Sequence, residues 1–412
     1  MGAESTWSAV SDGLRCSPSL RSPMVGLTGK ESSRIVAVAL LFDPYVASRT
    51  PTELELRIRS AASGPVSLRM GEIEACLPEP AVSHEGRHFY RHAFRDLPSD
   101  TEFEIEVRQD AADSARTLSA RTLPPLPGIR KMRLGLLADL HLTLDRRHID
   151  DYRPGTKRLC GLSLELAERY LERLERLGAE AIVLLGDVVD PCTRESLAVL
   201  RSLLERRKLP CYPIIGNHEP WSRGGEALFH EALGLPRWGY YVVRRPGLRL
   251  LMLSTPSPDA LHPDGAQYRW LVEQLGDAEE DEDIVLFSHF SLVLHRCVEG
   301  ARNDGYQLLD AHHELLDLIG RFANVRLVSA GHKNVPSCFL SGHALHLLSP
   351  QLIQAPCGYD LLDLCEGGLA RITYEIDEQH YAEVARAAYE SEGPLRFGSD
   401  EDRCFVWRYP ET

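Results

Sequence analysis

Five apolar runs, over residues 132–138, 181–185, 211–215, 284–287 and 325–329, each stop at a short group of Asp, Asn or His. The groups read Asp139-Leu140-His141, Gly186-Asp187-Val188-Val189-Asp190, Gly216-Asn217-His218-Glu219, Ser288-His289 and Gly331-His332-Lys333-Asn334. A short unbroken apolar run reads as a strand buried on both faces. Between the runs the period changes. Leu166, Tyr170, Leu171, Leu174 and Leu177 form one stripe of a helix over 162–177, closed by Gly178. Helices are also expected over 194–207, 267–275, 306–320 and 380–390. A hairpin over 239–254 should turn at Pro246-Gly247, with further strands near 337–349 and 368–376. Buried strands alternating with helices mean an α/β core.

In an open α/β sheet the carboxyl ends of the strands line a crevice. Residues far apart in sequence would therefore converge at one edge. Carboxylate, imidazole and amide oxygen are hard and borderline metal ligands. In three of the five groups Gly precedes the ligand, which lets the backbone turn sharply. Taken alone, Asp-x-His is an ordinary turn, His289 an ordinary core histidine, and Asn217 an N-cap. Five such groups at five strand ends are more than a hydrophobic core requires, and they point to a metal centre.

The chain ahead of this core has another texture. Residues 1–33 are rich in Ser and Gly and read as a flexible tail. Over 34–123 the period is two. Leu54, Leu56 and Ile58 alternate with Glu55, Arg57 and Arg59, and Phe103, Ile105 and Val107 with Glu104, Glu106 and Arg108. That pattern means strands with one wet face, hence a small β-sandwich. Its stretch from Leu97 through Pro98, Thr101 and Phe103 to Val107 resembles a fibronectin type III strand entry. A Pro-rich linker is expected over 124–131, a catalytic domain over 132–377, and a C-terminal helix and extension over 378–412.

With 60 acidic and 46 basic side chains the formal charge is −14. That balance argues against sequence-independent nucleic-acid binding, which needs a basic face. No apolar run reaches the roughly 18 residues of a membrane span, so no membrane association is expected. The ten cysteines are scattered, with no C-x-x-C pair, and read as reduced thiols of a cytoplasmic protein.

In order and type the five groups resemble the signature of the calcineurin-like metallophosphoesterases: D-x-H, G-D-x-x-D, G-N-H-[ED], a lone H and G-H-x-H. The resemblance covers residues 132–334. It implies an α/β fold, a four-layer α/β/β/α sandwich, here preceded by a small all-β sandwich domain. A fibronectin-like domain ahead of such a core is also similar to the arrangement in purple acid phosphatases. Those enzymes carry a tyrosine ligand in the second motif. Here that motif reads Gly186-Asp187-Val188-Val189-Asp190, so a tyrosinate–iron site is not expected.

Carried over residue by residue, the resemblance implies a dinuclear centre bridged by Asp187. One ion would take Asp139, His141 and Asp187, the other Asp187, Asn217, His289 and His332. His218 matches the family's catalytic histidine, with Asp190 orienting its imidazole, and Glu219 would hold the loop. Two divalent ions, Mn²⁺ or Fe²⁺ first and Mg²⁺ or Zn²⁺ next, would carry a bridging hydroxide that attacks phosphorus. The last group departs from the family pattern, because Asn334 stands where a final His ligand is expected. Either Asn334 ligates through its amide oxygen, favouring harder ions, or the first site fills poorly. Substrate contacts are expected from the basic segments that follow two of the groups. One carries Arg146, Arg147, Arg153 and Lys157, the other His295, Arg296 and Arg302. Arg153 and Arg302 are the candidate phosphate grips. The leading reading is a hydrolase of a small phosphate monoester or diester. A weakened metal- or phosphate-binding protein is the alternative, and a nuclease the least favoured.

Overall fold

The computed structural model describes residues 42–144, 159–295, 308–387 and 394–410. The expected tail over 1–33 lies outside them, as do Arg153 and Arg302. The first element group is a pair of antiparallel four-stranded sheets. Its strands are β1 (Phe42–Arg49), β2 (Leu54–Ser60), β3 (Val66–Met70), β4 (Ile73–Leu77), β5 (Val82–His84), β6 (Arg87–Phe94), β7 (Glu102–Gln109) and β8 (Ser114–Arg121). The orders are β1-β2-β6-β5 and β4-β3-β7-β8. Leu54, Leu56, Ile58, Val66, Ile105 and Val107 meet between the sheets. On β7 the glutamates face water as the period of two requires. On β2 they do not: Glu55 and Arg57 are buried, because that face is covered by the α/β core.

The core follows after the Pro-rich stretch. Its first sheet holds β9 (Arg130–Leu137), β10 (Ala181–Leu185) and β11 (Cys211–Ile214), all parallel. Its second sheet is built from β12 (Tyr241–Arg245), β13 (Leu248–Met252), β14 (Asp283–Ser288), β15 (Val325–Ala330), β16 (Ser337–Ser341) and β17 (Ala344–Leu348). The chain then returns to the first sheet with β18 (Gly358–Cys365), β19 (Gly368–Glu375) and β20 (Cys404–Arg408). The orders are β11-β10-β9-β18-β19-β20 and β12-β13-β14-β15-β17-β16. β9 begins at Arg130, within the stretch expected as linker.

The helices are α1 (Ser163–Arg176), α2 (Arg194–Glu205), α3 (Gly225–Leu233), α4 (Ala266–Gly276), α5 (His312–Ile319), α6 (Gln379–Ala387) and the single turn α7 (Asp400–Arg403). The side-chain alternation of the strands sorts them into layers. Leu134, Leu136, Val183 and Leu185 point inward and meet Leu250, Val285, Phe287 and Leu327 of the second sheet. Ile182 and Leu184 point outward under Leu171, Leu174, Leu197 and Leu200 of α1 and α2. Leu251, Ile284, Leu286 and Val328 likewise lie under Leu271, Leu275, Leu315 and Leu318 of α4 and α5. The result is an α/β/β/α sandwich whose strands are apolar on both faces because both faces are covered. Gly135 on β9 lets α1 pack close, since a Cβ there would stand 2.6 Å from Leu174 Cδ1. The β-sandwich and the core fall in one compact unit, Leu40–Thr412.

α5 starts six residues later than the apolar stripe suggests. Leu308 pairs as a bridge with Ser291 and is not helical. Among the described residues no helix is long and apolar enough to cross a membrane.

Candidate metal centre

All five polar groups lie just past the carboxyl ends of parallel strands: β9, β10 and β11 in one sheet, β14 and β15 in the other. Asp139, His141, Asp187, His332 and Asn334 have left-handed backbones, with φ between 40° and 64°. Such conformations cost non-glycine residues about 1–3 kcal/mol each and gather where function imposes them. The bends are tied to one another through the main chain. The His141 N–H donates to Asp187 O at 2.8 Å, and Leu142 N–H to Val188 O at 2.9 Å. The His332 N–H donates to Asp139 Oδ2 at 2.9 Å, joining the two sheets. Glycine is required at two of these bends. A Cβ on Gly186 would stand 2.4 Å from His289 Nδ1, and one on Gly216 2.3 Å from Asp187 Oδ1.

Asp187 sits at the centre. Its Oδ1 accepts the His218 N–H at 2.8 Å. Its Oδ2 faces three imidazole Nε2 atoms: His289 at 3.4 Å, His141 at 3.7 Å and His218 at 3.8 Å. The last two separations are too long for hydrogen bonds. Donors that share an ion at about 2.1 Å stand roughly 3–3.5 Å apart, close to this spacing. The ligand atoms of Asp139, His141 and Asp187 lie within 4.8 Å of one another, and so do those of Asp187, His289 and His332. Two donor sets thus share Asp187.

The surroundings fit positive charge. Burial alone would push the Asp187 carboxyl up, but the imidazoles of His289, His141 and His218 hold it well below the usual carboxylate range. Burial would likewise lower His289, yet Asp187 raises it to about 9. Both ring nitrogens of His289 face oxygen acceptors, Leu185 O at 2.8 Å from Nδ1 and Asn217 Oδ1 at 2.9 Å from Nε2. The Nδ1–H bond to Leu185 O fixes the ring so that Nε2 points at Asp187 and Asn217. Burial and the neighbouring His289 hold His332 well below its ordinary value, so it is neutral, as a ligand must be. Asn334 is buried, and its Oδ1 has no hydrogen-bond partner among the described residues. An orphaned amide oxygen costs about 1–3 kcal/mol unless something absent accepts its lone pairs. These donors fit divalent ions.

Beside them, His218 Nδ1 pairs with Asp190 Oδ2 at 2.7 Å, leaving Nε2 toward Asp187. The Asp190 oxygen also stands 3.5 Å from His141 Nδ1. Burial opposes ionisation of Asp190, but its bonds to His141 and His218 hold its pKa below the usual carboxylate range. Glu219 makes no contact of the ligand kind. Its carboxylate accepts the Val188, Val189 and Gly216 N–H groups at 2.6, 3.1 and 2.9 Å, clamping the second and third groups together. Two positioning residues carry no sequence signal. Thr255 Oγ1 accepts the His289 N–H at 2.8 Å, and Gln351 Nε2 donates to Asp139 O at 2.9 Å. His295, expected in a substrate-facing segment, is instead buried, with its Nδ1 3.1 Å from Ser337 Oγ of β16.

The family model for calcineurin-like phosphoesterases matches residues 132–336. A probable cyclic nucleotide phosphodiesterase of Synechococcus sp. is 26% identical over 216 residues, 52% of this chain and 77% of that protein. A dimetal phosphatase from Danio rerio is similar in structure, with a TM-score of 0.45, 17% identity, and coverage of 60% of this chain and 97% of that one. Purple acid phosphatase from yellow lupin seeds aligns over 81% of this chain and 72% of its own, with a TM-score of 0.43 and 13% identity.

Proposed function

From a domain, residues 132–336, that belongs to the calcineurin-like phosphoesterase family, we infer that the protein hydrolyses a small phosphate ester with the help of two divalent ions. The observation that carries this reading is the pair of donor sets sharing the buried Asp187 carboxylate. Asp139, His141, Asp187 and Asn334 would hold one ion; Asp187, Asn217, His289 and His332 the other. When bound, such ions supply an activated water near neutral pH and offset charge on the phosphoryl group, and the mixed N/O donors suit Mn²⁺ or Fe²⁺, then Mg²⁺ or Zn²⁺. Two dications against Asp139 and Asp187 also make the cleft locally positive on a chain of net charge −14, which favours a phosphate ester as partner.

The side chains around the ions divide the remaining work. Asp190 holds His218 Nδ1, so Nε2 is the nitrogen turned to the site. From there His218 can deliver a proton to the departing oxygen, a role worth about 10²–10⁴-fold. Glu219 keeps the loops carrying Asp187 and Asn217 in register. The relative named as a cyclic nucleotide phosphodiesterase favours a diester among the small esters. The scattered cysteines, with no C-x-x-C pair, favour a reducing, cytoplasmic setting.

The test is hydrolysis of phosphomonoesters, cyclic nucleotides and other diesters by the purified protein with each of the four metals. His218→Ala and Asp187→Ala should each lower turnover by at least about 10²-fold. A folded protein that turns over none of these with any of the metals would overturn the reading. The Oδ1 of Asn334, which has no hydrogen-bond partner among the described residues, favours ligation over a poorly filled first site, and hence the enzyme over the weakened binding protein.

A further inference from the structure

The single turn Glu219–Trp221 that follows Asn217 and His218 ends in an indole that is 66% exposed. A lone exposed aromatic is ordinary on a protein surface. This one is not placed in an ordinary way. Its ring centroid lies 3.7 Å from that of His218, at an interplanar angle of 38°. His218 itself is only 6% exposed and also meets the ring of His141 edge-on at 4.4 Å. The turn beneath Trp221 is rigid. Its N–H donates to His218 O at 3.2 Å, Glu219 is clamped by three backbone N–H groups, and Ser222 Oγ accepts the Cys192 N–H at 3.0 Å. Gly225 closes the loop so tightly that a Cβ there would stand 2.0 Å from Glu219 O. An apolar surface is thus held in a fixed place against the ring of His218.

We propose that Trp221 is a stacking platform for the leaving group, and that the site takes phosphate esters whose leaving alcohol carries a flat aromatic ring such as a nucleobase. The proposal rests on the hydrolase reading for its geometry: the group attached to the departing oxygen must extend from His218 Nε2, and the indole is the apolar surface in ring contact with that histidine. Aromatic stacking tolerates many rings because each has a π-face, and one such platform commands about tenfold in affinity or more.

Adenosine 5′-monophosphate and ribose 5-phosphate form a matched pair, since both leave through a ribose 5-hydroxyl and differ in the base. Their 5′-methyl diesters extend the pair to a diesterase. The metal-loaded protein should prefer the base-bearing ester by about tenfold or more in kcat/KM. Trp221→Ala should bring that ratio to about one, chiefly through KM, and Trp221→Phe should retain most of it. A ratio unchanged in Trp221→Ala, or no preference in the parent protein, would overturn the proposal. Calorimetric titration with the same pair needs no turnover and separates the two readings. Selective binding of adenosine monophosphate that Trp221→Ala abolishes, with no hydrolysis by the parent, would keep the platform and reject the hydrolase. Equal binding of both compounds by the parent would reject the platform.

Discussion

Asn334 is the residue at which this site parts from the calcineurin-like phosphoesterase pattern, and its conformation suits the exchange. Its φ is 61°, a region that asparagine enters more readily than most side chains. The amide oxygen is buried without a hydrogen-bond partner among the described residues, while the neighbouring donors of Asp139, His141 and Asp187 already form a set. A neutral amide oxygen is a weaker donor than an imidazole toward first-row metals, so the first site should be the looser of the two. Asn334→His is therefore expected to tighten the weaker Mn²⁺ site by about tenfold or more, read by calorimetric metal titration, and Asn334→Ala to loosen it. An Asn334→Ala protein with unchanged affinity at both sites would remove Asn334 from the ligand set. The motif residues were legible because each sits within a few positions of an apolar run, where local sequence reports the strand end. Thr255 and Gln351 were not, because they reach His289 and Asp139 from loops that are neighbours only in three dimensions.

At the scale of elements, the strand-end glycines do what no other residue allows. Gly216 closes β11 against Asp187, and a methyl group there must displace the Asp187 main chain or its carboxylate. Gly216→Ala should thus leave the layers intact but shift the Asp187 carboxylate. The expected loss is about 1–3 kcal/mol of stability from overpacking, with metal binding falling by far more than that destabilisation would produce alone. Thermal unfolding together with metal titration would check this, and wild-type affinity in the variant would show that the bend has slack. The long helices carried clear periodic signals, and the parallel strands unbroken apolar runs. Three elements did not. β18 holds Asp360 and Asp363 inside an otherwise apolar run, and their burial makes sense only once Arg371 pairs with Asp360 and Arg133 with Asp363. α3 opens on Gly224-Gly225 and has too few turns for a stripe, and β20 is a five-residue edge strand that gains its meaning from pairing with β19.

At the scale of the molecule, the outer face of β2 is where local reading and structure part most. Alternating Glu55 and Arg57 look like a solvated face, yet both are buried, because the α/β core covers them. Arg57 lies across the joint. Its Nε donates to Glu55 at 2.9 Å, while its terminal nitrogens donate to Ile376 O at 2.6 Å and Glu375 O at 3.0 Å. Glu375 in turn accepts from Tyr45 and Arg403, and Glu383 from Arg59, so the sandwich is held to the core by a network of paired charges. Burial would lower the Arg57 pKa, but Glu55 and Glu375 outweigh it and raise it, so the guanidinium stays charged. A buried pair contributes little net stability when whole, because both ions were taken from water. Broken, it leaves an uncompensated buried charge. Arg57→Ala strands Glu55 and Glu375 together, and should lower the unfolding free energy by about 3–5 kcal/mol in denaturant titration. A loss below about 1 kcal/mol would mean that Arg91, 2.7 Å from Glu55, and Arg403, 3.1 Å from Glu375, neutralise those carboxylates without Arg57.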